Sequence, residues 1–588
     1  MLTVWYNGSR NTMQEGDAMY LKQIPNKKSG RVFLAIVQPY KHKESGNTRT
    51  KTIKSLGYLD DLANEFADPI GHFTQLAKTM TQDHKEAALP ITLEIRPMEK
   101  LSTEPGQRKN LGYAALSSIY HELGIHQFWA NRQRNLTLDY QLDQIFRMLV
   151  YQRILDPGSK KYSYEHKDGY FEAYDFSLDD VYRALSRMNS YQEALLLKLH
   201  QHVSKLYGRD TSNVFYDVTN YYFEIEAGDE LRRKGVSKEH RPDPIVQLGL
   251  LMDRQGLPIT YKLFSGNTND CNTLLPVLAE VKANYNLKRM VVVADKGLNT
   301  SENIGYNLLK GDGYIYSQTI RGASREMQQY VLNPSDYRTT GEDFRIKSRF
   351  YPRTITVMNN QNKPVSVAID EKQIIFYSEK YARRVRAERE PAIQKALQLI
   401  QRPGAFTQST AQGAAKYIKD LVFNKKTGEV ITAGHAPQLD LERIKNEEEL
   451  DGYYAIVTSE LDMTDEAVIE TYRGLWRIEE SFRITKSELE ARPVYVSRKD
   501  RINAHFLTCF VSLLILRCLQ LKTNYRFSAG RLVESLNAYS GSKLEDNLFV
   551  FDYRDEVLDT VGQACDIDFT LKYRALGEIK KILAKHKK

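Results

Sequence analysis

The spacing of hydrophobic residues changes along the chain and predicts elements of different kinds. Near the N-terminus the run RVFLAIVQPY predicts a strand, and residues 1–100 are expected to form a basic, mostly β module. Between residues 112 and 206 apolar positions recur every three or four residues, which predicts helices, and SLDDVYRAL begins with the spacing of a capping box. Residues 101–210 are therefore interpreted as a helical bundle.

A strand pattern that begins at Asn213 predicts an α/β layer. Three strand-like runs are followed by alternating helices and strands through residues 211–320. Residues 321–450 break this rhythm with β-like runs and a basic helix, so they are interpreted as a mixed β insertion. The strand DGYYAIVTS and the helix after it resume the layer in 451–521. Residues 522–588 are expected to form a helical C-terminal region that serves core packing or a dimer contact.

Composition is that of an ordinary soluble protein, with 41% hydrophobic and 27% charged residues. A chain of 588 residues is too long for one core and predicts two to four domains. The four cysteines lack metal-site spacing and read as reduced thiols. The apolar run FLTCFVSLLIL is too short to span a bilayer, and the N-terminus lacks a signal-peptide pattern. We therefore expect a cytoplasmic protein without a membrane partner.

Basic residues are concentrated at both ends of a chain whose net charge is +9. Residues 1–58 hold ten Lys and Arg against three acids, and the C-terminus reads KKILAKHKK. Such patches bind polyanions without reading sequence, although a merely solvated surface is the alternative. The candidate side chains for DNA contacts away from the catalytic site are Arg49, Lys51, Lys54, Arg383 and Arg384.

Three carboxylates stand out by their placement. Asp217 lies within the first strand of the α/β layer, in FYDVTN, and Asp295 ends the fourth, in VVVADKG. Glu479 lies on the helix after the insertion. Catalytic groups of open α/β layers favour the carboxyl ends of strands, and a hard divalent cation would compensate all three acids together. A capping role or a structural ion pair is the alternative for each acid taken separately.

The stretch YRGLWRIEESFRITK, residues 472–486, has two adjacent glutamates on a predicted helix. At 100° per residue, Glu479 falls on one face with apolar and aromatic side chains, and Glu480 falls toward the polar side. A carboxylate on such a face costs several kcal/mol of desolvation unless a cation meets it. The cation could be a metal ion, or it could be Arg483 or Lys486.

With Asp217 and Asp295 on strands and Tyr472, Glu479 and Lys486 on a late helix, the chain resembles the DDE transposases of bacterial insertion sequences. The resemblance is to the superfamily with a Tyr-Arg-Glu-Lys signature, and LFSGNTND and GYYAIVTS are similar to segments of the branch named after insertion sequence sixteen-thirty-four. It implies a ribonuclease H-like α/β core interrupted by a mostly β insertion domain.

The resemblance also implies roles for individual residues. Two Mg²⁺ ions, which Mn²⁺ could replace, would be held by Asp217, Asp295 and Glu479. The implied contacts to the transposon end are made by Tyr472, Trp476, Arg483 and Lys486. The signature arginine is replaced by Leu475, and Arg483 lies on the same predicted helix face as Glu479.

The implied reaction is cleavage at inverted-repeat ends and transfer of the freed 3′-hydroxyl to target DNA. The implied partner is double-stranded DNA, bound by a homodimer on paired ends, so the protein would be associated with the nucleoid. The alternatives are a ribonuclease H-like nuclease or junction resolvase, and an end-binding protein without activity. HELGIH is not the zinc-protease motif, because its histidines are five residues apart.

Overall fold

A computed structural model of the chain describes residues 18–26, 30–41, 48–86, 98, 100, 108–236, 238, 242–339, 344–359, 361–402, 411, 413–423, 430–431, 437–544 and 547–587. The chain divides into two compact units, Met1–Ser102 and Thr103–Lys588. Residues 1–17, which include the segment MLTVWYNGSR, residues 42–47 of the basic N-terminal module and the last residue lie outside the described residues.

The first unit is built on a three-stranded antiparallel sheet in the order β1-β2-β3. Strand β2 is the central strand of this sheet and carries the buried run Leu34–Val37, so the strand predicted from RVFLAIVQPY is present. Two helices follow the sheet. The elements are β1 (Tyr20–Pro25), β2 (Val32–Lys41), β3 (Thr48–Tyr58), α1 (Leu59–Leu62) and α2 (Pro69–Glu86).

The second unit begins with one short strand and six helices. The predicted capping box is present, since the Ser177 hydroxyl accepts from the Asp180 amide and the Asp180 carboxylate accepts from the Ser177 amide. The elements are β4 (Arg108–Asn110), α3 (Tyr113–Glu122), α4 (Ile125–Gln133), α5 (Leu142–Leu155), α6 (Lys160–Glu165), α7 (Leu178–Ser190) and α8 (Gln192–Tyr207).

A large mixed sheet starts after these helices. Strands β5, β6 and β7 are antiparallel neighbours, β8 pairs parallel with β5, and β9 pairs parallel with β8. The elements are β5 (Asn213–Tyr222), β6 (Ile245–Asp253), β7 (Pro258–Ser265), α9 (Leu274–Asn284), β8 (Val291–Ala294), α10 (Ser301–Leu309) and β9 (Gly313–Gln318).

The segment between residues 321 and 450 adds strands to this same sheet. Its elements are α11 (Arg325–Leu332), β10 (Arg338–Thr339), β11 (Phe344–Phe350), β12 (Arg353–Met358), β13 (Pro364–Ile369), β14 (Lys372–Ser378), α12 (Glu379–Gln401), β15 (Ile418–Lys419), β16 (Val422–Phe423), β17 (Val430–Ile431), β18 (Gln438–Leu439) and α13 (Leu441–Glu449). With β19 (Tyr453–Thr458), the nine strands run in the order β10-β11-β14-β19-β9-β8-β5-β6-β7. Three strands of the inserted segment thus extend the sheet that carries Asp217.

The remaining elements cover the sheet and close the unit. They are α14 (Asp465–Arg473), α15 (Trp476–Lys486), α16 (Lys499–Lys522), α17 (Ala529–Ala538), β20 (Ser540–Lys543), β21 (Leu548–Phe551), α18 (Glu556–Cys565), β22 (Tyr573–Ala575) and α19 (Leu576–Lys585). The last region was expected to be helical, but three of its strands join β4 in a four-stranded sheet ordered β22-β21-β20-β4. Its terminal segments therefore pair with residues that precede the helical region.

The apolar helix α16 is the central core element of the second unit. Within the described residues it is the one helix long and apolar enough to cross a membrane, and 94% of its most apolar window is buried inside the protein. It packs against helices α3, α5 and α7 and against strand β7. The prediction of a buried helix over FLTCFVSLLIL thus agrees with its position.

Candidate active site

Asp217 lies inside β5, where its neighbour on one side is the parallel strand β8. The parallel ladder pairs Val214 with Val292 and Phe215 with Val293, so Asp217 is in step with Asp295 two residues beyond its last pair. Adjacent strands are about 4.8 Å apart, which brings the two acids to the same end of the sheet. The Val218 amide donates to the Asp217 carboxylate at 2.7 Å.

Burial raises the pKa of Asp217 to about 6. Lys238 opposes this shift, whereas the negative charges of Asp295 and Asp270 add to it. Lys238 also donates a hydrogen bond from Nζ to the Val218 carbonyl oxygen. Three carboxylates, those of Asp217, Asp270 and Asp295, therefore lie near this end of the sheet, and their negative charges favour the binding of a cation there.

Asp295 follows β8 directly and is exposed. Its Oδ1 accepts a hydrogen bond from the Ser317 hydroxyl on β9 at 2.6 Å and another from the Tyr472 hydroxyl on α14 at 3.2 Å. The Tyr454 hydroxyl on β19 lies 2.7 Å from the Tyr472 hydroxyl. Neighbouring strands and a covering helix thus fix the orientation of this carboxylate.

The stretch 472–486 forms two helices rather than one. The prediction that Glu479 lies on the apolar side of the helix and Glu480 on the polar side is wrong. Helix α14 ends at Arg473 and α15 begins at Trp476, with Gly474 between them. A Cβ added at Gly474 would lie 2.5 Å from Cζ of Phe215, so glycine lets the junction approach β5. The buried residues of α15 are Ile478, Ser481, Phe482, Ile484 and Thr485.

The two adjacent glutamates exchange the environments that were predicted for them. Glu479 is exposed, and its side chain has neither a hydrogen bond nor an ion pair with any described residue. Glu480 instead contacts the core, since its Oε2 accepts from Nη1 of the buried Arg517 on α16 at 2.7 Å. Arg483 pairs with Glu488 at 2.9 Å and with Glu480 at 3.9 Å, so it does not neutralise Glu479.

The chain matches two protein-family models. Residues 233–515 match the model described as "Transposase DDE domain", and residues 21–90 match "IS1634 family transposase, N-terminal domain". The first match contains Asp295 and Glu479 and begins after Asp217. Together the matches span more than half of the chain.

The chain belongs to the DDE transposases of insertion sequences.

This result confirms the resemblance and the enzymatic function that were predicted from the sequence. Among solved structures, a match is the piggyBac transposase synaptic complex with hairpin DNA, at 8% identity and a TM-score of 0.34, covering 81% of this chain and 85% of that one. A search of curated proteins found no match.

The predicted DNA-end contacts of the transposase lie in different settings. Trp476 is 52% exposed, and the Arg477 guanidinium lies 5.2 Å from its ring centroid. The Lys486 ammonium lies 5.8 Å from the ring centroid of Tyr221. Burial lowers the pKa of Lys486, Lys238 lowers it further, and Asp217 raises it, so both lysines lie near this acid. Leu475, at the position of the signature arginine, is buried.

The other predicted DNA-binding residues are exposed. Arg49, Lys51 and Lys54 lie on β3 in the first unit. Arg383 and Arg384 lie on α12 in the second unit, where Arg383 pairs with Glu379 at 3.3 Å and Arg384 pairs with Glu388 at 3.5 Å. The two arginines of α12 are thus partly neutralised by their own helix, whereas no ion pair is formed by the three β3 residues among the described part of the chain.

Four residues of the site were missed from the sequence: Lys238, Asp270, Ser317 and Tyr454. Ser317 and Tyr454 lie on predicted strands. The parallel pairing of β8 with β9 places Ser317 beside Asp295, and the pairing of β9 with β19 brings Tyr454 to the same site. Asp270 begins a short 3-10 helix after β7 and accepts from Nε2 of Gln247 at 3.3 Å. The motif LFSGNTND was noted for its resemblance, and its acid could have been weighed as a site residue.

Transposases with a DDE domain use divalent metal ions. Asp217 and Asp295 fit such an ion, because both offer hard oxygen ligands, and burial together with the charges of Asp295 and Asp270 raises the pKa of Asp217, which a bound cation would offset. Among the described residues, however, no three His, Cys, Asp or Glu side chains are gathered closely enough to hold a metal. The structure thus brings two of the three predicted ligands together and leaves Glu479 outside that pair.

Proposed function

We propose that this transposase binds the inverted-repeat ends of an insertion sequence, cuts the DNA there and joins the freed 3′-hydroxyl to target DNA. The observation that carries the proposal is the placement of Asp217 and Asp295 in step on two parallel neighbouring strands. The order β7-β6-β5-β8-β9, with the first three strands antiparallel and the last three parallel, supports a ribonuclease H-like core.

In this proposal Asp217, Asp295 and Glu479 hold two Mg²⁺ ions, for which Mn²⁺ can substitute. Such ions, when bound, activate the attacking oxygen and stabilise the leaving one. Glu479 is assigned the third position because it is exposed on a helix that packs on β5 through a 2.6 Å hydrogen bond between Tyr221 and Thr485. Its carboxylate has no competing protein partner among the described residues, whereas Glu480 is committed to Arg517.

Basic and aromatic side chains near the acids would contact the DNA end. Lys486 and Lys238 lie near Asp217 and would neutralise the phosphate charge beside the acids. The exposed Trp476 ring offers a surface on which an unpaired base can stack. Arg483 lies on the same exposed face of α15 and would contact the backbone. Tyr472 keeps its hydroxyl on Asp295, so we assign its ring edge to the DNA contact.

The first unit would supply sequence-independent affinity for the ends. Arg49, Lys51 and Lys54 on β3 form its exposed basic strand, and Arg383 and Arg384 are assigned a weaker contact because acids of α12 pair with them. We further propose that the protein acts in the cytoplasm as a homodimer on paired ends.

Cleavage and strand transfer on DNA that carries the flanking inverted repeat test this function. The wild-type chain should cut and join in Mg²⁺ and stop when the metal is chelated. Asp217→Asn, Asp295→Asn and Glu479→Gln should each abolish both steps. The matched control is Glu466→Gln, which removes an exposed acid from α14. Wild-type cleavage by Asp295→Asn and Glu479→Gln would reject the metal triad, and cleavage without joining would indicate a nuclease.

A further inference from the structure

We propose that Tyr454 is a positioning residue for Asp295, and that aromatic rings of the inserted strands hold Tyr454 in place. This inference rests on the proposed function, since it gives the inserted segment a part in the metal-binding site. It is carried by a chain of hydrogen bonds and by a row of rings that ends at the same carboxylate.

The direction of the hydrogen bonds is fixed by counting protons. Tyr472 has one hydroxyl proton and donates it to Oδ1 of Asp295 at 3.2 Å. In the 2.7 Å contact between the two tyrosine hydroxyls, Tyr454 must therefore be the donor. The Tyr454 proton makes the Tyr472 hydroxyl a better donor, because linked hydrogen bonds polarise one another.

Both donors to Asp295 address the same oxygen. Ser317 donates to Oδ1 at 2.6 Å, and Tyr472 donates to Oδ1 as well. Among the described residues, no donor contacts Oδ2 of Asp295. The carboxylate is thus held by one oxygen and presents the other, which is the arrangement of metal-ligating carboxylates whose partners orient them.

A row of four rings crosses the sheet to this site. Phe344 on β11 lies 5.5 Å from Phe376 on β14, and Phe376 stacks on Tyr454 at 5.1 Å, where the two residues are paired across β14 and β19. Tyr454 lies 5.9 Å from Tyr472. Strands β11 and β14 belong to the segment between residues 321 and 450, so the insertion reaches Asp295 through ring packing.

The hydroxyl of Tyr454 distinguishes positioning from ordinary packing. A phenylalanine would fill the same ring position between Phe376 and Tyr472, without a buried polar group that needs a partner. The preceding residue, Tyr453, packs its ring against Tyr377 at 5.0 Å, and among the described residues it has no hydrogen bond to Asp295 or to Tyr472. Tyr453→Phe is therefore a matched control, because it removes the same hydroxyl from the same strand.

The test is a titration of the full-length chain with Mn²⁺. Binding is measured by the decrease of the free-ion signal in electron paramagnetic resonance. Tyr472→Phe removes a direct donor to Asp295 and should weaken binding about 10- to 100-fold. Tyr454→Phe should weaken it about 5-fold, the equivalent of one hydrogen bond. Tyr453→Phe should bind Mn²⁺ as the wild type does. Thermal unfolding midpoints should be equal for wild type, Tyr454→Phe and Tyr453→Phe.

A second readout uses the DNA reaction at saturating substrate. Tyr454→Phe should need more Mn²⁺ for half-maximal cleavage, reach a near wild-type rate at high Mn²⁺, and bind DNA unchanged. Unaltered Mn²⁺ affinity in Tyr454→Phe would overturn the inference, and so would an equal loss in Tyr453→Phe. If the wild type binds Mn²⁺ but transfers no DNA strand, the proposed function fails while the Mn²⁺ titrations still decide the role of Tyr454. A wild type that binds no Mn²⁺ would overturn both.

Discussion

Replacing Glu480 by glutamine should destabilise the fold, whereas the same change at Glu479 should not. Arg517 is 2% exposed at its side chain and donates to Oε2 of Glu480 at 2.7 Å. It also donates to the Ser481 hydroxyl, the Arg477 carbonyl and Gln520. Glu480→Gln keeps an acceptor but leaves the buried guanidinium without a neutralising carboxylate.

The size of the loss follows from these contacts. A hydrogen bond to a charged group contributes about 1.5–3 kcal/mol, and removing one partner of a buried ion pair costs about 3–5 kcal/mol. The Glu480 side chain is 21% exposed, so solvent offsets part of the loss. We expect Glu480→Gln to lower the free energy of unfolding by about 2–3 kcal/mol. Glu479→Gln should change it by less than about 0.5 kcal/mol.

The assay is urea denaturation followed by circular dichroism, with midpoints compared among wild type, Glu479→Gln, Glu480→Gln and the control Glu466→Gln. Cleavage of inverted-repeat DNA is measured on the same preparations below the unfolding range. Glu479→Gln should be stable and inactive, while Glu480→Gln should be less stable and retain cleavage. Equal stability of the two variants, or a stable Glu480→Gln without cleavage, would refute the assignment of the two acids.

Three further outcomes are expected. Burial raises the pKa of Asp217 to about 6, above its ordinary value, so the folded state favours the protonated acid. The thermal midpoint of the metal-free chain should therefore fall as pH rises from about 4 to 7, and Asp217→Asn should make that fall smaller. Replacing Arg49 and Lys51 together by alanine should lower the salt slope of DNA binding by about 2, measured by fluorescence anisotropy, and an unchanged slope would exclude phosphate contacts by both. Gly474→Ala should cost about 1–3 kcal/mol in urea denaturation, because its Cβ would lie 2.5 Å from Cζ of Phe215; a stable variant would show that the helix junction can move.

The sequence predicts the strands of the site well and their neighbours poorly. Alternation and buried apolar runs place Asp217 within a strand and Asp295 just after one, because these patterns are local. Ser317 reaches Asp295 through the parallel pairing of β8 with β9, which follow each other along the chain. Tyr454 is in a predicted strand too, but its approach to Asp295 depends on the pairing of β9 with β19, which lie far apart in sequence. The joining of β11 and β14 to the main sheet also depends on strand pairing between distant segments, so it was not predicted from the sequence.

The helix face was predicted wrongly for a different reason. The 100° rotation was carried from Tyr472 to Lys486 across Gly474, where the helix is interrupted. Apolar residues occur on both sides of α15, so periodicity alone does not decide which side is buried. The choice is made by Arg517 of α16, a buried cation that needs the carboxylate of Glu480.

Helix α16 therefore determines the orientation of α15, in addition to packing in the core. Arg517 binds the carbonyl of Arg477, the hydroxyl of Ser481 and the carboxylate of Glu480, which are three groups of α15. These bonds fix the rotation of α15 about its axis, and residues on the opposite side of that helix are turned to the exterior. Glu479 is one residue from Glu480, about 100° around the helix, and it is exposed for this reason. The exposure of Glu479 is therefore imposed by the buried ion pair between Arg517 and Glu480, which fixes the backbone of α15 from which the Glu479 side chain projects.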